Sequence, residues 1–223
     1  MRGHFLRAAS PKGGGGGPTP ALLLHFDGTN GSTTFTDSSP NNFSITPSGN
    51  AQLSTTGPKF GTACGLFDGA GDYIDTPASS ELSFPGQFCV DTWVYPEITT
   101  ELRSFFELGS FSDGILMRNA DSPFDAYVNG YMGGGIGSFI AANAWNHLAV
   151  TRDASSVIRV FVNGVQRLSV TRSEAVNSGG AACRIGSSRH TGGQDLQGRV
   201  DEFRVVKGDA VWTADFTPPT APY

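Results

Sequence analysis

The sequence predicts an all-β chain with the strand spacing of a sandwich behind a short flexible tail, and three observations carry that prediction. Glycine makes up 30 of 223 residues, about twice its usual share of ~7%, while charged residues reach only 16%. With three lysines and six glutamates the charged helix formers are scarce, which excludes a helical bundle or coiled coil. Short apolar, β-prone runs recur along the chain with turn residues between them, at the spacing of an all-β sandwich.

The first twenty residues stand apart. MRGHFLRAASPKGGGGGPTP carries Arg2, Arg7 and Lys12 and no acid, against a net −5 for the whole chain. Gly13–Gly17 between proline-containing ends reads as a flexible linker. The same glycines interrupt any apolar core of a secretion signal, so a Sec signal is not expected. No apolar run approaches the ~20 residues needed to cross a bilayer, so no membrane insertion is expected. The acidic balance of residues 21–223 argues against nucleic-acid binding through a basic face. Cys64, Cys89 and Cys183 are odd in number and lack CxxC spacing, so they read as buried thiols rather than zinc ligands or a disulfide framework.

From Ala21 onward the strand-like runs are 21–26, 64–68, 72–76, 87–95, 103–108, 114–118 and 124–128, then 145–151, 157–162, 165–171, 182–186 and 198–206. Asn129-Gly130 and Asn163-Gly164 tolerate the positive φ that a type I′ turn needs, and each predicts a two-residue hairpin. The second hairpin pairs Val162 with Val165 and Val160 with Arg167, with Phe161 on the opposite face. Neither face of 157–162 is polar, which predicts a strand covered on both sides. Residues 77–83 (PASSELS) form the one short helical turn expected, with Ser79 or Ser80 as its cap.

These runs fall in a recognisable order. LLLHFDGTNGSTTFTDSSPNN, GLFDGAGDYIDTP and FCVDTWVYPE resemble the front half of a laminin-G-like module. WNHLAVTRDASSVIRVFVNGVQ, CRIGSS and LQGRVDEFRVVKG resemble its back half. The resemblance covers residues 21–210 and implies an all-β concanavalin A-like jelly roll, two antiparallel sheets packed face to face as a sandwich. The ending RVVKGDAVWTADFTPPTAPY resembles that of laminin-G-like modules in virion proteins of tailed bacteriophages. It implies a proline-rich strap over 208–223, anchored by Trp212, Phe216 and Tyr223 and extended by prolines that cannot join a ladder.

What chemistry does this order imply? β-Glucanases of the same fold place paired carboxylates on one strand face. Here Asp91 has no partner two or four positions away, and adjacent Asp201 and Glu202 are expected on opposite faces. No Gly-x-Ser-x-Gly elbow appears either. The expectation is therefore a non-enzymatic chain, with His25 and His147 as locally hydrogen-bonded sheet residues. The resemblance also implies a bound calcium near the join of the first and last strands, with Asp27, Asp37 and Asp201 as its candidate ligands. Against that, Asp27 and Asp37 read as turn caps, and Asp201 as an ion-pair partner of Arg199 or Arg204.

Sugar binding needs exposed aromatics beside polar groups, and Tyr127, Tyr131, Trp93 and Tyr95 are the candidates. In the tail, Arg2, Phe5, Leu6 and Arg7 form a candidate anchor for capsid or other virion proteins. The resulting expectation is a virion surface protein assembled in the host cytoplasm. It would serve as a capsid decoration, spike or fibre component, able to form homo-oligomers and to hold host or environmental glycans. A free calcium-assisted lectin is the alternative, and a divergent glycoside hydrolase the third.

Overall fold

The computed structural model describes residues 17–119, 124–133, 139–190 and 193–223. The strands in chain order begin with β1 (Pro20–Leu24), β2 (Thr46–Ser48), β3 (Gln52–Ser54), β4 (Cys64–Asp68) and β5 (Tyr73–Asp75). β6 (Phe88–Pro96), β7 (Arg103–Gly109), β8 (Gly114–Asn119), β9 (Phe124–Val128) and β10 (Tyr131–Gly133) follow. The last five are β11 (Asn146–Arg152), β12 (Val157–Val162), β13 (Val165–Thr171), β14 (Cys183–Ile185) and β15 (Gln197–Lys207).

They form two antiparallel sheets. One runs β13-β12-β11-β6-β15-β4-β3, with β1 also on β15, and is eight-stranded. The other runs β10-β9-β8-β7-β14-β5-β2 and is seven-stranded. Side-chain alternation turns Phe88, Val90 and Val94 of β6 inward, to meet Phe106, Leu108, Ile115 and Met117 of the facing sheet. Phe106 packs edge-on against Phe203 across this core, with ring centres 5.2 Å apart. A two-sheet jelly-roll sandwich with a single 3₁₀ turn among the described residues is the fold the sequence predicts. That turn, Ser80–Leu82, is capped by Ser79, whose side chain accepts from Glu81 N.

Three local expectations need correction. At Asn163-Gly164 both residues have positive φ and Val162 pairs with Val165, but Val160 faces Leu168 rather than Arg167. A bulge in β13 absorbs the extra residue. At Asn129-Gly130, Tyr131 pairs with Tyr127, so three residues rather than two bridge the strands. In β15, Asp201 opposes Trp93 while Arg204 opposes Asp91, so three positions there match two on β6. The bulge holds Glu202 at φ 51° and breaks the alternation on which its separation from Asp201 rested.

Candidate functional site

The two sheets present different outer faces. On the seven-stranded sheet one row runs across the strands: Tyr131 opposes Tyr127, Tyr127 opposes Leu116, Leu116 opposes Glu107, and Glu107 opposes Arg184. Tyr131 is 52% exposed and Tyr127 half-buried, with ring centres 5.1 Å apart. Phe111 stacks on Tyr127 at 5.0 Å and His190 lies on Phe111 at 4.4 Å, so four rings form a continuous surface.

Polar groups flank that surface and hold one another. Arg118 donates through Nε and Nη2 to Asp125 at 3.2 and 3.0 Å, to the Tyr127 hydroxyl at 3.0 Å, and to Gln194 at 3.3 Å. The Tyr131 hydroxyl donates to the other Asp125 oxygen at 3.3 Å. Arg184 and Arg189 share Asp75, and Glu107 accepts from Ser188 and from Arg189 N. Charges here are paired, leaving a polar surface without a strong field of either sign.

At its end the row opens into a cleft of about 780 Å³ lined by Ser112, Asp113, Asn129, Arg172, Glu174 and Ser178. Arg172 clamps the β9–β10 hairpin, donating to the carbonyls of Asn129, Gly130 and Tyr131 at 2.7–2.9 Å. Asn129 donates to the carbonyls of Glu174 and Ala175, while its own buried Oδ1 accepts from no described residue. Hydroxyls and exposed aromatic faces together suit a ligand rich in both C–H and O–H groups.

The eight-stranded sheet is closed where this one is open. Trp212 and Phe216 stack at 4.1 Å, and the His147 ring lies edge-on beneath both. Phe216 also covers Phe161, which explains why both faces of β12 are apolar. Tyr223 donates its hydroxyl to Asp91 and its backbone N–H to Glu202, and its ring lies 3.6 Å from the Arg204 guanidinium. Asp91 is fully buried; burial alone would raise its pKa, but Arg204, His147 and Tyr223 hold it below the usual carboxylate value. The bulge thus leaves Asp91 and Glu202 both touching one strap residue. Sequence alternation cannot show that, because a bulge leaves no composition signal.

The sequence candidates separate in space. Asp27 is exposed and accepts from Thr62 N and Oγ1. Asp37 is buried and accepts from the N–H groups of Leu23, Ser39 and Phe43. Asp201 is fully buried and accepts from Lys59 N, Phe60 N and Glu202 N. Its ion-pair role goes elsewhere, since Arg204 pairs with Asp91 and Arg199 lies nearest Glu97. Each carboxylate organises a different turn, and among the described residues no three His, Cys, Asp or Glu side chains form a metal-holding group. Tyr127 and Tyr131 share the open face, whereas Trp93 and Tyr95 lie on the other sheet. Arg2, Phe5, Leu6 and Arg7 lie outside the described residues. Sequence reasoning does not reach Phe111, His190 and Asn129: Asn129 reads only as turn chemistry, and the other two sit in loops without a motif.

The chain belongs to the concanavalin A-like lectin/glucanases superfamily, whose laminin-G family model matches residues 68–211. Domain 4 of AbnA, an extracellular arabinanase of Geobacillus stearothermophilus solved with arabinotriose, aligns at TM-score 0.62 and 21% identity. That match covers 86% of this chain and 93% of the other. The receptor binding domain of botulinum neurotoxin D aligns at 0.63 and 14% identity, covering 84% of this chain and 49% of that one. The serotype D ligand binding domain in complex with N-acetylneuraminic acid gives 0.62 and 14%, covering 84% and 47%. The chain spans about half the length of these toxin domains, and at such identities the likeness is one of fold. No curated sequence matches the chain.

Proposed function

We propose that this chain is a non-catalytic glycan-holding module carried on the surface of a bacteriophage particle. The observation that carries the glycan reading is the open row Tyr131–Tyr127–Phe111 running into the hydroxyl-lined cleft at Asn129. Two neighbours of the fold were solved with sugars, arabinotriose and N-acetylneuraminic acid, which supports the ligand class. The absence of catalysis is supported by the state of Asp91, salt-bridged to Arg204 and lidded by Tyr223. The virion location is supported by the resemblance of residues 204–223 to endings of phage virion modules. Many copies on a particle raise avidity, so a shallow site with weak single-site affinity suffices.

A glycan array with the full chain tests the ligand. Saturable binding, lost in Tyr127→Ala and Tyr131→Ala at unchanged melting temperature, is the expected result. Binding that survives both substitutions overturns the site. Because the three candidate carboxylates are engaged separately, equal affinity in calcium and in chelator is expected. Detection of the chain in purified particles tests the location, and release on deleting residues 1–20 tests the anchor formed by Arg2, Phe5, Leu6 and Arg7.

A further inference from the structure

The ring surface on the seven-stranded sheet ends at His190, and what lies beneath that ring sets what it offers outward. Glu107 of β7 is fully buried, and one of its oxygens accepts from Ser188 Oγ and from Arg189 N, the latter at 3.0 Å. Its other oxygen lies 3.2 Å from His190 Nδ1. Ser188 Oγ in turn accepts from His190 N at 3.1 Å, which folds this residue back over Glu107. The imidazole is held from below at one nitrogen while its face lies on Phe111, with ring centres 4.4 Å apart.

A carboxylate accepts hydrogen bonds and has no hydrogen to donate, so Glu107 places the imidazole hydrogen on Nδ1. A neutral imidazole carries one N–H, and Nε2 is then left as a lone-pair acceptor. The two ring nitrogens diverge, so Nε2 is turned away from the buried carboxylate. The side chain is 36% exposed, and Nε2 has no hydrogen-bond partner among the described residues. The other polar atoms beside the rings are engaged with one another. Arg118 holds Asp125, Gln194 and the Tyr127 hydroxyl, and the Tyr131 hydroxyl holds Asp125. Nε2 is an acceptor that the row keeps free at the edge of its aromatic surface.

We infer that His190 is the specificity-determining residue of this row: Nε2 accepts the hydroxyl hydrogen of a sugar unit whose C–H face lies on Phe111. Glu107 is its positioning residue, because it sets the tautomer from beneath the ring without reaching the ligand. The inference rests on the glycan reading of the Tyr131–Tyr127–Phe111 row and adds the chemical class that the row selects, a sugar with a free hydroxyl beside its apolar face. A unit O-methylated or O-acetylated at that position has no hydrogen to give. A site built to bond a hydroxyl rejects the analogue that lacks it, because its own polar group is then left unpaired.

The test titrates the full chain with arabinotriose, the sugar in the AbnA domain structure, and with its fully O-methylated form. Ring-nitrogen NMR at about pH 8, where imidazole is neutral, separates the tautomers. His190→Phe identifies the His190 signals and keeps a ring on Phe111. In the free chain the hydrogen is expected on Nδ1, with Nε2 bare. Arabinotriose should shift the Nε2 signal to saturation in step with the amides of Tyr127 and Tyr131. The O-methylated form should leave Nε2 unmoved and bind at least about tenfold more weakly. His190→Phe should lose as much affinity for arabinotriose, and His190→Gln, which returns an acceptor oxygen, should recover most of it. A hydrogen on Nε2 in the free chain overturns the inference. So does an Nε2 signal that stays still while Tyr127 and Tyr131 move, or parent affinity in His190→Phe. Those outcomes leave the row standing, whereas silence at Tyr127 and Tyr131 as well removes the row and this inference with it.

Discussion

The outer faces of the two sheets solve one problem in opposite ways. Each carries aromatics and charges that the inter-sheet core cannot take. On the eight-stranded sheet the chain covers them itself: Trp212, Phe216 and Tyr223 seal His147, Asp91 and Arg204. On the seven-stranded sheet Tyr127, Phe111 and His190 stack on one another and stay in reach of solvent. Buried, the Asp91–Arg204 pair is structural, because removing either partner strands a charge away from water. Partly buried, with 12% and 11% of their side chains exposed, Arg118 and Asp125 keep contact with water and serve to fix two tyrosine hydroxyls. The same residue types therefore do different work according to what lies over them.

The largest expected effect breaks the sealed face. Arg204→Met leaves Asp91 charged, buried and without its guanidinium, and should cost about 3–5 kcal/mol in chemical denaturation. The equivalent change on the open face, Arg118→Met, leaves a partly buried Asp125 that still touches water and should cost less, about 1–3 kcal/mol. Equal costs would erase the distinction.

Next comes the strap's seat. Gly164 has φ +78°, and a Cβ there would lie 1.9 Å from the Phe216 carbonyl oxygen, which belongs to the residue whose N–H bonds Gly164 O. Gly164→Ala should lose about 1–3 kcal/mol and make the strap susceptible to limited proteolysis. A strap as protected as in the parent chain would show that this contact is dispensable.

The pH dependence is smaller and has a definite sign. Burial pushes the Asp201 carboxyl up to about 7, against the pull of its Phe60 and Lys59 N–H partners. The hydrogen bond to Glu202 raises His25 above its ordinary value. Both groups hold a proton when folded that the unfolded chain has already released. Their contribution is complete below the unfolded values and is lost as pH rises, through about 4–7 for Asp201 and above 6.5 for His25. Denaturation midpoints should fall across that window, and Asp201→Asn should flatten its acid half. A slope unchanged in Asp201→Asn would assign it elsewhere.

The smallest effect on stability carries the largest on binding. Tyr131→Ala, at an exposed ring, should leave the melting temperature nearly unchanged and weaken glycan binding at least about tenfold, ~1.4 kcal/mol.

These contrasts show which features the sequence makes legible. Periodicity finds the long strands: the runs at 87–95, 157–162 and 198–206 coincide with β6, β12 and β15. The short polar strands β2 (TPS) and β3 (QLS) escape it, because three residues give no period and their pairing is set by tertiary contacts. Bulges escape for a related reason. Nothing in VDEFRV distinguishes a regular strand from one holding Glu202 at positive φ, yet that turn of the backbone puts Glu202 beside Tyr223. Tyr127 and Tyr131 were readable because an Asn-Gly turn places flanking tyrosines near the surface. Phe111 and His190 reach them through loops whose path only the assembled sheets define.

The central claim is that the open face, rather than the sealed one, holds the glycan the array selects. Amide chemical-shift mapping of the full chain with that glycan tests it most directly. The account predicts shifts at Phe111, Tyr127, Asn129 and Tyr131 that saturate together and vanish in Tyr127→Ala. Shifts confined to the strap around Trp212 and Tyr223, with the 127–131 hairpin silent, would contradict it.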